Sequence, residues 1–168
     1  MKLNQKGFLG KIIVFIMLSI IVGGCIYVYY NLSKSVLGEI IYPLKNIQEN
    51  LILSQYEFNY SGKAERVIEF SQIKLGEVRK LVDNNADSDK IIDTLEQLKL
   101  MQDKAITYLD QAKSNAQSTS KVIEKLVSVL KDQSNELDKM TYEVNPDIYQ
   151  TIIDAKDYTD ENLKKLNP

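Results

Sequence analysis

From residue 42 onward the apolar residues of this chain return every three or four positions, and no stretch alternates with the two-residue rhythm of a strand. Each such run predicts an amphipathic helix. Pro43 suits a first helical turn, where its missing N–H is not needed. Behind it Leu44, Ile47, Leu51 and Phe58 are expected to line one buried face. "NYSG" is expected to break that helix at Gly62. A second helix then shows Ala64, Ile68, Ser71, Leu75, Val78 and Val82, and "DNNADSD" ends it. A third starts near Asp89 and shows Ile91, Leu95, Leu98, Gln102, Ala105, Leu109 and Ala112.

No glycine or proline lies between Gly76 and Pro146, and the spacing continues through Ala116, Thr119, Ile123, Leu126, Leu130, Gln133, Leu137 and Met140. A bend is expected near Ser118, because Ser and Asn compete for backbone hydrogen bonds and make poor helix interiors. Asn145-Pro146 reads as an N-cap followed by proline at the first helical position. The last helix presents Tyr149, Ile152, Ala155, Thr159, Leu163 and Leu166. The stripes are narrow and are interrupted by Ser71, Gln102 and Gln133, so the helices must pack on one another. The expected fold is all-α, an elongated antiparallel helical bundle or coiled-coil hairpin behind an N-terminal transmembrane helix.

That membrane expectation rests on residues 12–30, "IIVFIMLSIIVGGCIYVYY", nineteen residues without a charge. About 20 apolar residues in a helix span a hydrocarbon core. Lys2, Lys6 and Lys11 precede the run with no acid among them, which favours a cytoplasmic N-terminus and delivers the rest of the chain outside. The boundaries follow: a basic leader at 1–11, a transmembrane helix at 12–30, a connector at 31–41 and an extracytoplasmic helical domain at 42–168. Val22-Gly23-Gly24-Cys25 gives an alternative, a lipoprotein-type signal in which Cys25 is the lipidation candidate. The apolar Ile26-Tyr27-Val28-Tyr29-Tyr30 that follows favours an uncleaved anchor over a polar tether. A pilin-type leader cut after Gly7 is a third reading, weakened by Ile12 where a glutamate is expected.

Composition removes several function classes. The chain has no histidine, no tryptophan and one cysteine, so neither an internal disulfide nor a Cys/His metal cluster can form. The serines have no histidine to activate them as hydrolase nucleophiles. Three of the 21 basic residues precede the apolar run, leaving 18 against 23 acids and a net charge of −5 beyond it. That balance argues against nucleic acid as a partner. No cofactor is implied, and an enzyme is not expected.

"YPLKNIQEN", residues 42–50, carries a resemblance. Tyr42, Pro43, Leu44, Lys45 and Glu49 resemble the Tyr-Pro-Leu-Lys helix start of a bacterial domain-of-unknown-function family of membrane-anchored helical proteins. Ala64-Glu65 and Lys74-Leu75-Gly76-Glu77, with Leu81, are similar to that family's next helix, although Lys74 replaces an arginine and Gly76 an alanine. "VIEKLVSVL" and the proline-started last helix fall in the same order. The resemblance covers roughly residues 37–165. It implies an all-helical extracytoplasmic domain behind an anchor, and no chemistry.

Two groups of residues remain as site candidates. Asp83, Asn85, Asp87 and Asp89 alternate like the first oxygen donors of a calcium loop, but Ser88 and Thr94 stand where its glycine and bidentate glutamate belong. Tyr42, Tyr56 and Tyr60 could form a contact surface, since tyrosine is enriched at interfaces. Carboxylate–lysine pairs such as Glu77 with Lys80 read as solvated helix faces. The expected role is interaction: an adaptor or assembly subunit with a protein partner or a homo-oligomer, held in membrane lipid through 12–30 at the bacterial cytoplasmic membrane. An extracytoplasmic sensor or ligand-binding bundle signalling through a partner is the alternative.

Overall fold

The structure, a computed structural model, describes residues 42–166 and, upstream, residues 17, 19, 22–24 and 26, which are helical. At Tyr42, Pro43 and Asn46 it describes the backbone alone. The basic leader, the connector, Cys25 and most of the apolar run lie outside the described residues. Among those described, no helix is long and apolar enough to cross a membrane.

The described chain is all-helical. Five helices follow one another from residue 42: α1 (Tyr42–Ser54), α2 (Tyr60–Asp83), α3 (Ser88–Ser114), α4 (Ser120–Met140) and α5 (Pro146–Leu166). The last four form a bundle in which α2 packs on α3 and α4, and α5 packs on both of the same neighbours. α2 and α5 therefore sit on one diagonal, and α1 lies outside against α2.

Local chemistry sets the ends. Asn59 caps α2 by accepting the Gly62 N–H at 2.8 Å. Gly62 does not break a helix, as the sequence suggests, but sits in the first turn of α2. A Cβ there would lie 2.5 Å from the Tyr56 ring, so glycine is the residue that lets this ring close over the turn. α2 and α3 both end in Schellman motifs. Asn85 and Ala116 take the left-handed conformation, with φ of 48° and 53°. Ala86 N–H returns to Leu81 O at 2.9 Å, and Gln117 N–H returns to Ala112 O at 2.9 Å. The expected bend near Ser118 is thus a full break at residues 115–119, and residues 88–143 form two helices. Asn145 O accepts the Ile148 and Tyr149 N–H groups at 3.0 and 3.2 Å, and Pro146 opens α5.

The core is divided in two. One apolar cluster joins Val67, Ile68 and Phe70 of α2 to Met101, Ala105 and Leu109 of α3 and Leu126 and Leu130 of α4. The other joins Val78 and Leu81 of α2 to Leu95 and Leu98 of α3, Leu137 of α4 and Ile152 of α5. The beginning of α2 therefore meets the end of α3, and the two run opposite ways. Every position of the α3 stripe read from sequence is buried. In α5 the stripe is turned slightly, so that Ile148 is buried and Tyr149 is exposed. Ala116 is exposed as well, because the helix ends before it.

Between the two clusters lies a polar layer drawn from all four bundle helices. Gln102 Nε2 donates to Gln133 Oε1 at 2.9 Å and to Thr159 Oγ1 at 3.0 Å. Gln133 Nε2 donates to Ser71 Oγ at 3.0 Å, and Asn162 Nδ2 donates to Gln102 Oε1 at 3.1 Å. The hydroxyls of Ser71 and Thr159 donate in turn to Ile68 O and Ala155 O of their own helices. Buried amides and hydroxyls are costly unless bonded, and here they satisfy one another.

Candidate functional site

α1 is mounted against expectation. Leu44, Ile47, Leu51 and Phe58, read from sequence as a buried face, are 47%, 57%, 61% and 74% exposed. The inward face is charged. Lys45 and Glu49 are one turn apart on α1 and share a side of it. They meet Lys74 and Glu77 of α2, and none of the four is more than 7% exposed. Lys45 Nζ donates to Glu77 Oε1, and Lys74 Nζ donates to Glu77 Oε2 at 3.1 Å. One carboxylate thus accepts from two ammonium groups, which offsets the cost of burying charge. Glu77, expected on a solvated face, is instead the centre of this cluster.

Glu49 is the second carboxylate of the group. Burial pushes its carboxyl above the usual range, against the pull of Lys74 and Lys45; Glu77 adds to the rise and Lys104 on α3 opposes it. It lines a groove of about 200 Å³ between α1 and α2, together with Lys45, Gln48, Ile52, Arg66, Glu69, Phe70 and Ile73. At the rim of the groove and beyond it, several charges are partly exposed and paired. Lys125 reaches Glu65 and Glu69, each at 3.0 Å, tying α4 to α2. Partial burial would raise the Glu69 carboxyl, but hydrogen bonds from Lys125 and Arg66 hold it below its ordinary value. On α5, burial and a hydrogen bond to Asp103 push the Tyr158 phenol up to about 12.

The four residues of the cluster are visible in sequence as members of the resembling motifs, Lys45 and Glu49 in "YPLKNIQEN" and Lys74 and Glu77 in the next helix. Their convergence is not legible there. One signal does exist: Val67, Phe70, Lys74, Glu77 and Leu81 keep the three-four spacing of a buried stripe, and all five are buried.

The sequence-derived site residues are placed differently. Asp83 pairs with Arg79 at 3.1 Å, Asp87 with Lys90 at 3.5 Å, Asn85 forms the left-handed cap of α2, and Asp89 lies exposed in the first turn of α3. Among the described residues no group of three or more acidic, histidine or cysteine side chains is arranged to hold a metal ion. Tyr56 is half-buried, its hydroxyl accepting from Arg66 Nε at 2.9 Å, and the Lys63 ammonium lies 5.4 Å from the Tyr60 ring centre. Both rings are half-buried and make these contacts within the chain. The Tyr42 side chain lies outside the described residues, as does Cys25.

Comparisons with known protein families, curated proteins and solved structures find no match.

Proposed function

We propose that this chain is a membrane-anchored cell-envelope helical protein that acts through protein–protein interaction, as an adaptor or assembly subunit without catalytic chemistry. The observation that carries the reading is the outward apolar stripe of α1. A helix that buries its charges and exposes Leu44, Ile47 and Leu51 has its apolar face available for another surface. Anchoring through residues 12–30, with the N-terminus inside and residues 42–168 outside, belongs to the same proposal and rests on the charge-free run and the lysines before it. So does kinship with the bacterial family that residues 42–50 resemble, which rests on that sequence resemblance alone.

In-cell cross-linking with mass spectrometry tests the reading. A reproducible protein neighbour linked through α1 supports it; a chain with no cross-linked neighbour in intact cells sinks it. The same spectra show whether residues 12–30 remain attached or Cys25 has become an acylated first residue.

The sensor reading is favoured by two grooves, the one beside Glu49 and another of about 330 Å³ between α2 and α4, lined in part by Arg79, Asp132 and Gln133. Gln102 and Gln133, which a ligand-binding bundle could turn toward a ligand, share a hydrogen bond at the bundle centre.

A further inference from the structure

The charged side chains that line the groove between α1 and α2 are bonded to one another or to their neighbours, with one exception. Lys45 donates to Glu77, and Arg66 donates to the Tyr56 hydroxyl and to Glu69. Glu69 also accepts from Lys125. Glu49 is the exception. It is 7% exposed, yet among the described residues neither a hydrogen bond nor an ion pair holds its carboxylate; burial and more distant charges act on it instead. No fully buried side-chain oxygen of the described residues lacks a hydrogen-bond partner. The small exposure that Glu49 keeps therefore reaches its carboxylate oxygens, on a residue that lines the groove.

A carboxylate held this deep without a donor is costly, and a cation seated beside it offsets that cost. The walls favour a cation with an apolar body. Ile52, three residues after Glu49, shares its side of α1. Phe70 and Ile73 share a side of α2, and Ile52 packs on the apolar cluster to which Phe70 belongs. The groove thus has a charged end, where Lys45 meets Glu77, and an apolar end at Ile52 and Phe70, with Glu49 between them. An anion is poorly served there. To reach Lys45 or Arg66 it must displace Glu77 or Glu69, and it then faces Glu49.

Size narrows the class. The groove holds about 200 Å³, below the roughly 300–1,000 Å³ of sites for drug-sized ligands. At about 30 Å³ for each water-sized group, it takes roughly seven heavy atoms. The larger groove between α2 and α4 offers no comparable group: its Gln133 amide is bonded to Gln102 and Ser71, and its Arg79 to Asp83 and Glu143.

We propose that the α1–α2 groove is a binding site for a small primary amine, with its ammonium on the Glu49 carboxylate and its aliphatic body along Ile52, Phe70 and Ile73. The site goes beyond the interaction reading and gives the sensor reading a ligand class. Lys45 and Lys74, with Lys104 on α3, repel a second cation, so the apolar walls supply much of the affinity. The amine needs the ionised carboxylate, whose proton burial holds above the ordinary 4.5 while Lys74, Lys45, Glu77 and Lys104 face it. Affinity therefore falls as pH falls through the folded value of Glu49.

The test is methyl NMR of the full chain in detergent, with labelled isoleucine and hexylammonium as the probe. The expected result is a saturable shift of the Ile52 and Ile73 methyl signals, while Ile91 and Ile148, buried in the other apolar cluster, stay in place. Glu49→Gln, with its fold checked by circular dichroism, weakens binding by roughly tenfold or more, the scale of one hydrogen bond to a charged group. Hexanol, of the same length and measured on the parent chain, binds no better than hexylammonium binds the variant. Hexanoate leaves Ile52 and Ile73 unshifted. Unchanged affinity in Glu49→Gln, or hexanol binding as tightly as hexylammonium, overturns the amine site. Shifts from hexanoate assign the groove to its lysines and overturn it as well. Equal shifts at Ile91 and Ile148 mean uptake of the probe by detergent or bundle, and with no shift at all they also overturn it. The interaction reading is untouched by any of these outcomes, since it stands or falls with the cross-linked neighbour.

Discussion

Gln102 and Gln133 share a hydrogen bond of 2.9 Å at the centre of the bundle, where each is about 1% exposed. Gln133 passes a second bond on to Ser71, so removing its amide strands donors and acceptors on two other helices. Gln133→Leu should cost about 1–3 kcal/mol, the usual penalty for buried polar groups left unpaired. Urea unfolding of Gln102→Leu, Gln133→Leu and the pair measures this. The double variant should lose less than the sum of the singles, since removing both partners leaves fewer unsatisfied groups.

Burial also separates ion pairs that resemble one another in sequence. Glu77 accepts from Lys45 and Lys74 in a site closed to water. Glu77→Gln leaves two ammonium groups without their carboxylate and should cost about 3–5 kcal/mol. Hydrogen exchange should show α1 opening first, because Lys45 is its main polar hold on α2. Lys125→Met removes two bridges whose partners are 51% and 36% exposed, and should cost under about 1 kcal/mol. Similar losses for the two variants would contradict the buried placement of Glu77.

Glu49 gives a pH dependence of known sign. Its carboxyl holds the proton above the ordinary 4.5, because burial outweighs the help of Lys74, Lys45 and Lys104 against Glu77. Between the unfolded and folded values the folded protein binds the extra proton, so this group adds stability as pH falls through that window. Glu69 and Asp160, held below their ordinary values, act in the opposite sense: their contribution is present above those values and fades as pH falls through the folded ones. Glu49→Gln should therefore match or exceed the parent in urea midpoint near neutral pH. The advantage should vanish below pH 4.5, where the parent carboxyl is protonated in both states. A variant weaker than the parent at neutral pH would mean that the charged form is the one the cluster needs.

Ala116 holds a left-handed conformation that glycine adopts without a steric cost. Ala116→Gly should stabilise the chain by about 1 kcal/mol, read from thermal or urea unfolding. Gly62→Ala should do the reverse, since its Cβ meets the Tyr56 ring, with overpacking of this kind costing about 1–3 kcal/mol. Tyr56→Leu in the same background should recover part of the loss.

The contrast between α3 and α1 shows what the pattern could convey. Along α3 the three-four spacing marks the buried face at every position from Ile91 to Ala112, because that helix is held by apolar contact on the bundle side. α1 obeys the same spacing, yet its stripe points outward. Hydrophobic periodicity reports that a helix has a face to cover; it does not report what covers it. The charged contact that turns α1 was hidden for a related reason. Lysines and glutamates on helices are usually solvated, and only their position on the Val67–Leu81 stripe marked Lys74 and Glu77 as exceptions. The break at Ala116 had no glycine to announce it, so the patch "SNAQSTS" indicated a bend without locating the residue that makes it.

The polar layer bears on how the bundle can move. Sliding one helix past its neighbours by a turn, about 5.4 Å, would place Leu98 or Ala105 where Gln102 now meets Gln133 and would break bonds to three other residues of the layer. The apolar clusters on either side resist such a shift weakly, because one aliphatic side chain can replace another. The layer is therefore a latch against axial slip. A load applied at one end of these helices is carried to the other by the bundle moving as a single strut.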